Sequence, residues 1–319
     1  MNSTRRGFVT GAGLALLSSC GRSGAKVIGV VPKATSHLFF VSVHAGVDAA
    51  ARDFHVNVLW NGPQNETDYA RQIEIVDSMI TRQVSAIAIS ATDQEALVAP
   101  VERAIRAGIP VTVFDSAVNI GNYVSFIATD NYGAGCIAAR TLAGFINQRG
   151  KVGMVMQKPG GTSTVLREQG FDATIAKEFP NIQVVARQYG MADPAKSRAA
   201  AEDILTAHPD LAGIFASSEA ASLGTIQAVK NRNLSGKIKL VTFDFTKAHV
   251  EALQDGTINA MLVQNPFQLG YQAVKSLADK LNGQTPPKKL ELPVRVILKA
   301  DLDKPDVRAL VEPEWLKGQ

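Results

Sequence analysis

Two aspartates occupy equivalent places in the chain. Val111-Thr112-Val113-Phe114-Asp115 and Leu240-Val241-Thr242-Phe243-Asp244 each end a short β-branched and aromatic run with a carboxylate. Runs of this kind read as buried strands, and open α/β sheets bind ligands beyond the carboxyl ends of their strands. An ionised carboxylate accepts up to four hydrogen bonds, and charge-assisted bonds are about twice as strong as neutral ones. Two such acids suit a ligand rich in vicinal hydroxyls; they also suit the acid–base chemistry of a hydrolase or isomerase. Each could instead cap the helix or turn that follows it. The same ending in both halves of the chain favours the ligand reading.

Signals for other chemistry are sparse. There is no Gly-x-x-x-x-Gly-Lys-Ser/Thr phosphate loop, no His-Glu-x-x-His and no Gly-x-Ser-x-Gly. The five histidines lack metal-ligand spacing, so neither a metal nor a cofactor is expected. Gly160-Gly161-Thr162-Ser163 follows a strand and could cradle an anion at a helix N-terminus, or simply turn the chain. Cys136 lies in an apolar helical stretch and reads as an inert thiol. With Cys20 the only other cysteine, no disulfide framework supports the fold.

The elements that must position these aspartates alternate strand and helix, the pattern of βαβ units and parallel sheets. A first set runs through strands at Val27–Val31, Val56–Trp60, Ala86–Ser90, Val111–Phe114 and Val124–Ala128. Between them, Phe39, Phe40, Val43, Val47, Ala50 and Phe54 recur at helical spacing, as do Tyr69, Ile73, Val76 and Ile80. Asn65 or Thr67 is the expected cap of the second of these helices, and Leu97–Ala107 makes a third. A second set alternates helices and strands from Tyr132 to the strand at Val294–Leu298. Runs such as Ala-Ile-Ala-Ile-Ser suit purely parallel sheets buried on both faces. No long linker separates the sets, so two lobes joined by tight crossings are expected.

At 319 residues the chain has the length of about two domains, and 46% hydrophobic residues suffice for two cores. The net charge of +4 hints weakly at nucleic acid, but two of the 33 basic residues are Arg5 and Arg6, in an expected leader. No basic run interleaved with aromatics appears, and a nucleic-acid partner is excluded. Residues 1–20 hold a basic start, an apolar stretch from Phe8 to Leu17, and Cys20. That stretch is short of the roughly 20 residues a spanning helix needs, so it reads as an export signal. Thr4-Arg5-Arg6-Gly7-Phe8-Val9 resembles a twin-arginine motif, and Leu17-Ser18-Ser19-Cys20 a bacterial lipobox. Acylation of Cys20 would anchor the protein outside the cytoplasm, with residues 21–25 as a tether.

Taken in order, several motifs resemble periplasmic ribose-type sugar-binding proteins, relatives of the ligand domains of lactose-repressor-like regulators. They are Phe39-Phe40-Val41, Ala107-Gly108-Ile109-Pro110-Val111, Phe114-Asp115 and Ile127-Ala128-Thr129-Asp130-Asn131. The series continues with Arg167-Glu168-Gln169-Gly170-Phe171, Ala207-His208-Pro209-Asp210, Thr242-Phe243-Asp244 and Gln264. The resemblance implies an α/β protein of two Rossmann-like parallel-sheet lobes joined by a three-crossing hinge, the type I periplasmic binding protein fold. The lobes it implies are residues 26–129 plus 265–292 and 130–264 plus 293–300. Residues 301–319, with Trp315, form a tail either packed across the hinge or frayed. It further implies a monomeric solute-binding component of an ABC importer, with no catalysis, a small polar ligand such as a sugar, and a membrane ABC permease as partner. A chemoreceptor partner, or a sensing role for an autoinducer or sensor kinase on the same fold, is the alternative.

Carried over residue by residue, the ligand set is Phe39, Phe40, Asp115, Asp244 and Gln264. The two rings would stack on the apolar face of a sugar, or one would face the cleft while the other joins the core. Gln264 would bind a hydroxyl at a crossing, or satisfy the hinge alone. The family's loop at Gly160–Ser163 is a lobe-edge turn, and its arginine at Arg167 is more often structural than ligand-touching. Ser116 and Val165 replace ligand arginines of the family, and Ser218-Glu219 stands where Asn-Asp is usual. Losing a planar five-donor fork is not conservative. The site is therefore expected to be less cationic and roomier than a ribose site, with Lys33, His37, Trp60, Tyr189 and Glu219 as replacements. Trp60 would be a second stacking platform or a half-buried interface residue.

Overall fold

Apolar runs of four to eight residues dictate the sheets, and the amphipathic stretches between them dictate the helices that cover them. The computed structural model describes residues 26–313. The expected leader, Cys20, the tether and Trp315 lie outside the described residues. The first sheet comprises β1 (Val27–Val31), β2 (Asn57–Trp60), β3 (Ala86–Ile89), β4 (Val111–Phe114), β5 (Phe126–Thr129) and, much later, β11 (Lys289–Leu292). The second comprises β6 (Gly150–Met156), β7 (Ile182–Tyr189), β8 (Leu211–Ala216), β9 (Lys239–Phe243), β10 (Ala260–Val263) and β12 (Arg295–Ile297). Their orders are β11-β5-β4-β3-β1-β2 and β12-β10-β9-β8-β6-β7.

The first sheet is covered by α1 (Leu38–Asp53), α2 (Tyr69–Thr81), α3 (Val98–Arg106) and α9 (Pro266–Leu281). On β1 the pleat sends Ile28 and Val30 into the core shared with α1 and α9, and Val31 into the core of α2 and α3. The second sheet is covered by α4 (Asn131–Phe145), α5 (Thr162–Glu178), α6 (Pro194–Ala207), α7 (Glu219–Asn231), α8 (Lys247–Gln254) and α10 (Pro305–Val311). The chain passes between sheets from β5 to α4, from β10 to α9, and from β11 to β12.

Helices α4 and α5 touch backbone to backbone. A Cβ on Gly135 would meet the carbonyl oxygen of Arg167 at 2.0 Å, and one on Gly170 would meet that of Tyr132 at 2.2 Å. Only glycine permits this approach, which fixes α5, and Arg167 on it, against the end of the first crossing.

Three expectations are corrected. The sheets are not purely parallel: β12 runs antiparallel to β10, with Met261 opposite Ile297. It is the return of the last crossing, so its direction is set by the hinge and not by a βα unit. The cap of α2 is Asp68, whose carboxylate accepts from the amide of Arg71 at 3.0 Å, rather than Asn65 or Thr67. Residues 305–311 of the tail form α10, and Val307 and Val311 are buried in the core of the second lobe. The alternating charges of Lys289–Leu292 concealed β11, which is an edge strand and needs only one buried face.

Candidate functional site

The strand ends at β4 and β9 share a backbone geometry that short polar residues tolerate best. Asp115 has φ 56° and Asp244 has φ 69°, both left-handed. This turn lifts each carboxylate off its strand, and the two, from different sheets, line a single cavity between the lobes. Counted as all space between atoms, open solvent at its mouth included, that cavity amounts to about 310 Å³.

Neither acid caps the turn that follows it. Asp115 accepts from the Ser90 hydroxyl at 2.7 Å and lies 3.1 Å from the Lys33 ammonium. Asp244 accepts from the Gln264 amide at 2.7 Å and from the backbone N–H of Glu219, the first residue of α7, at 3.2 Å. The helix after Asp244 is capped instead by Thr246. Gln264 also accepts from the Thr129 hydroxyl at 2.7 Å, so one buried amide joins the first crossing, the second crossing and a cavity carboxylate.

Arg167 is buried and held from three sides. Its guanidinium donates to the Asn131 side chain at 2.8 Å and to the Ser217 carbonyl at 3.0 Å, and lies 3.7 Å from the centre of the Phe243 ring. Burial lowers its pKa, against which the Asp244 and Asp115 charges work. Lys33 donates across the cleft to the Ser163 hydroxyl at 3.1 Å. Burial disfavours its ammonium, yet Asp115 and Glu66 more than compensate and raise its pKa.

Residues 28–285 match the model of the periplasmic binding protein domain. The chain belongs to that family. It is 30% identical over 280 residues to the ribose import binding protein of Bacillus subtilis, covering 88% of this chain and 89% of that one. It is 29% identical to the D-ribose/D-allose-binding protein of Pseudomonas aeruginosa over 85% of this chain and 88% of that one. An ABC transporter solute-binding protein from Agrobacterium vitis, solved with α-D-tagatopyranose, superposes with TM-score 0.86 at 33% identity, over 90% of this chain and 99% of that one. A carbohydrate transporter solute-binding protein from Agrobacterium radiobacter, in complex with D-arabinose, gives TM-score 0.88 at 30% identity, over 91% and 99%.

In this periplasmic binding protein both phenylalanines line the cavity; Phe40 is also buried in the core of the first lobe, while Phe39, edge-on to it at 5.0 Å, is half-buried. His37 lines the cavity with its Nδ1 at 3.4 Å from Glu66. Burial opposes its charge, but Glu66 raises its pKa overall. Burial likewise works against the Glu66 carboxylate, and Lys33 and His37 reverse that and pull it far below the usual range. Ser218 donates to Gln157 and accepts from the Ala221 amide, so it caps α7 while lining the site. Glu219 reaches over the cleft to the amides of Leu38 and Phe39; burial pushes its pKa up to about 7, with His37 acting against the shift.

Four expectations fail here. Ser116 is buried between the lobes, 3.0 Å from the Thr162 hydroxyl, and does not line the cavity. Trp60 stacks on His44 at 4.3 Å, and Tyr189 is 43% exposed, each away from the cavity. Both stand on outermost strands, β2 and β7, so their strand ends lie beside the cleft's rim and not at its centre. The site is also neither roomy nor poor in cations, since Lys33 and Arg167 both line it. Glu66, Gln157, Ser163 and Thr164 complete the lining unforeseen. Gln157 directly follows β6, so the strand-end rule that selects Asp115 also finds it. Glu66 sits in a loop with no such signal.

The lobes meet around this cavity. Lys158 donates to the Thr92 carbonyl at 2.6 Å, and the Gln94 amide to the Gly160 carbonyl at 3.1 Å. Gly160, at φ 83°, has no room for a Cβ beside Asp93 of the opposite lobe. The Gly160–Ser163 loop therefore lies at the seam between the lobes. Among the described residues no cluster of His, Cys, Asp and Glu could hold a metal ion, and no helix is long and apolar enough to cross a membrane.

Proposed function

We propose that this chain is the extracytoplasmic solute-binding component of an ABC importer, closing two lobes on a monosaccharide or related polyol without transforming it. The observation that carries the reading is the convergence of Asp115 and Asp244, from opposite lobes, on one cavity with Arg167, Gln264 and Phe39. Acceptors, a fixed planar donor and a ring face are the complement of a molecule with a polar rim and apolar faces. Relatives named for ribose and allose, and structural neighbours holding tagatose and arabinose, support the same class of ligand.

The lobes are 26–129 plus 265–292 and 130–264 plus 293–300, hinged at the three crossings. Closure is favoured by ligand only through its greater affinity for the closed state, in which both carboxylates reach it together. The closed monomer is presented to a membrane permease, and Cys20 holds it at the membrane by its acyl chains. No observation favours the signalling alternative over transport. The test is a thermal-shift screen of pentoses, hexoses, inositols and amino sugars, followed by calorimetry and a search for turnover. Stabilisation by a sugar that is recovered unchanged supports the proposal; no response to any of them, or conversion of one, overturns it.

A further inference from the structure

Charge around the cavity is matched in one lobe and not in the other. In the first lobe Asp115 and Glu66 share the Lys33 ammonium, at 3.1 Å and 3.8 Å, and the His37 Nδ1 lies 3.4 Å from Glu66. Two acids there meet two bases. In the second lobe Asp244 and Glu219 line the same cavity, 7% and 8% exposed, and Glu168 is buried behind them, accepting from Gln157 and Ser217. Among the described residues no ion pair reaches any of these three acids. Arg167 is the one buried base beside them, because Lys158 is spent on the Thr92 and Pro159 carbonyls at the seam. Buried charges persist when they are paired, and here the second lobe is short of positive charge.

Hydrogen bonds do not make up the difference. Each oxygen of Asp244 takes one bond, from the Gln264 amide and from the Glu219 N–H, and each oxygen of Glu219 takes one, from the Leu38 and Phe39 amides. A carboxylate oxygen has two lone pairs, so half the acceptor capacity of both acids stays open. The other residues that gather round both acids in the adjoining space, Phe39, Ser42, Phe245, Gln264 and Pro266, carry no charge. The empty site compensates by holding protons. Burial raises the pKa of Asp244, with Arg167 acting against it, and pushes Glu219 and Glu168 up to about 7. At Glu219 the opposing charge is that of His37, which Glu66 already engages.

We infer that the ligand is a protonated amino sugar, whose ammonium is received by Asp244 and Glu219 and supplies the positive charge that the second lobe lacks. This rests on the proposed sugar-binding function and deepens it. An ammonium brings three N–H donors to the open acceptor positions, where a hydroxyl brings one. The Phe39 ring, which lines the cavity with both acids, suits a cation as well as a sugar face. On the other side of the cavity Lys33 keeps Asp115 ionised for the hydroxyls of the same ring. A neutral sugar brings no charge, so Glu219 must bind it in its protonated form.

The test is calorimetry on the full chain with D-glucose, D-galactose, D-mannose and D-allose, with each carrying an amino group at carbon 2, 3 or 6, and with the N-acetylated forms. At pH 7 one amino sugar is expected to bind about tenfold tighter, or more, than its parent and than its N-acetyl form, which keeps the nitrogen and loses the charge. From pH 4.5 to 7, the range over which the Glu219 carboxyl is displaced, its advantage over the parent should widen about tenfold. The sign follows because the ammonium needs the ionised acid, whereas the neutral sugar needs the protonated one. In Glu219→Gln the ratio of the two affinities at pH 7 should fall about fivefold or more. Parent sugars that bind with no amino derivative tighter overturn the ammonium and leave the sugar-binding reading standing. An advantage that neither pH nor Glu219→Gln alters likewise overturns it. Failure of every compound to bind overturns both.

Discussion

Glu219, the first residue of α7 in one lobe, accepts a hydrogen bond at 2.8 Å from the backbone amide of Phe39, in the first turn of α1 in the other lobe. Its second oxygen takes the Leu38 amide at 3.2 Å. Helix α1 has no side-chain cap of its own at His37, so its free amides are satisfied across the cleft. A carboxylate at a helix N-terminus is also favoured by the helix dipole. The tie exists only when the lobes are shut.

Closure should therefore respond to pH. The carboxyl of Glu219 in the closed protein titrates at about 7, above its ordinary 4.5, because it is buried. The closed form thus binds more protons between those values, so it is favoured at low pH and loses ground as pH rises through the window. Sugar affinity should fall by about tenfold or more from pH 4.5 to 7, each pKa unit being worth about 1.4 kcal/mol. In Glu219→Gln the calorimetric dissociation constant should vary far less over the same range. An equally steep profile in the variant would place the titration elsewhere.

Asp244 accepts from two buried donors besides facing the ligand. Removing it leaves the Gln264 amide and ligand hydroxyls unpaired in the closed state, at a cost of roughly 2 kcal/mol or more. Asp244→Ala should weaken sugar binding about thirtyfold, read by calorimetry. Affinity close to that of the parent protein would refute the role of this carboxylate.

Gly135→Ala tests the seating of Arg167. The added methyl would meet the Arg167 carbonyl at 2.0 Å, so α4 and α5 must part. Overpacking of this kind costs about 1–3 kcal/mol. A lower melting temperature together with weaker sugar binding is expected, because the helix that moves carries a cavity guanidinium.

His249 of α8 is buried with its Nδ1 at 2.8 Å from Thr246 and its Nε2 without a partner among the described residues. Burial pushes its pKa down to about 3, below the 6.5 of the unfolded ring. Unfolded chains therefore bind the proton first, and the stability contributed is complete above pH 6.5 and lost as pH falls towards 3. Glu168, raised to about 7 by burial, works in the opposite sense above pH 4.5. Urea midpoints of His249→Leu and the parent should diverge on acidification, the variant losing less by about 1.4 kcal/mol per pH unit.

Anchoring is testable apart from binding. Cys20→Ala should move the protein from the membrane pellet to the soluble extracytoplasmic fraction, with sugar affinity unchanged. Retention in the pellet would remove the acyl anchor.

Element types were legible wherever an apolar run or helical spacing was clear, as at Val27–Val31 or in α2, and so were the two carboxylates, because a strand's end is a local feature. Trp60 and Tyr189, expected as replacements at the site, stand instead on outermost strands, since sequence shows where a strand runs but not its place in the sheet. Lys289–Leu292 was hidden because an edge strand alternates charges with half-buried residues.

Local order along the chain was enough to establish that Asp115 and Asp244 terminate buried strands, and that a family motif series surrounds them. Only the tertiary structure decided that these acids share one cavity, that Ser116 lies outside it, and that Glu219 caps a helix of the opposite lobe. The physical reason is range. Side-chain periodicity and φ/ψ preference act over a few residues, whereas neighbourhood in a sheet and contact across a cleft arise from packing among segments more than a hundred residues apart.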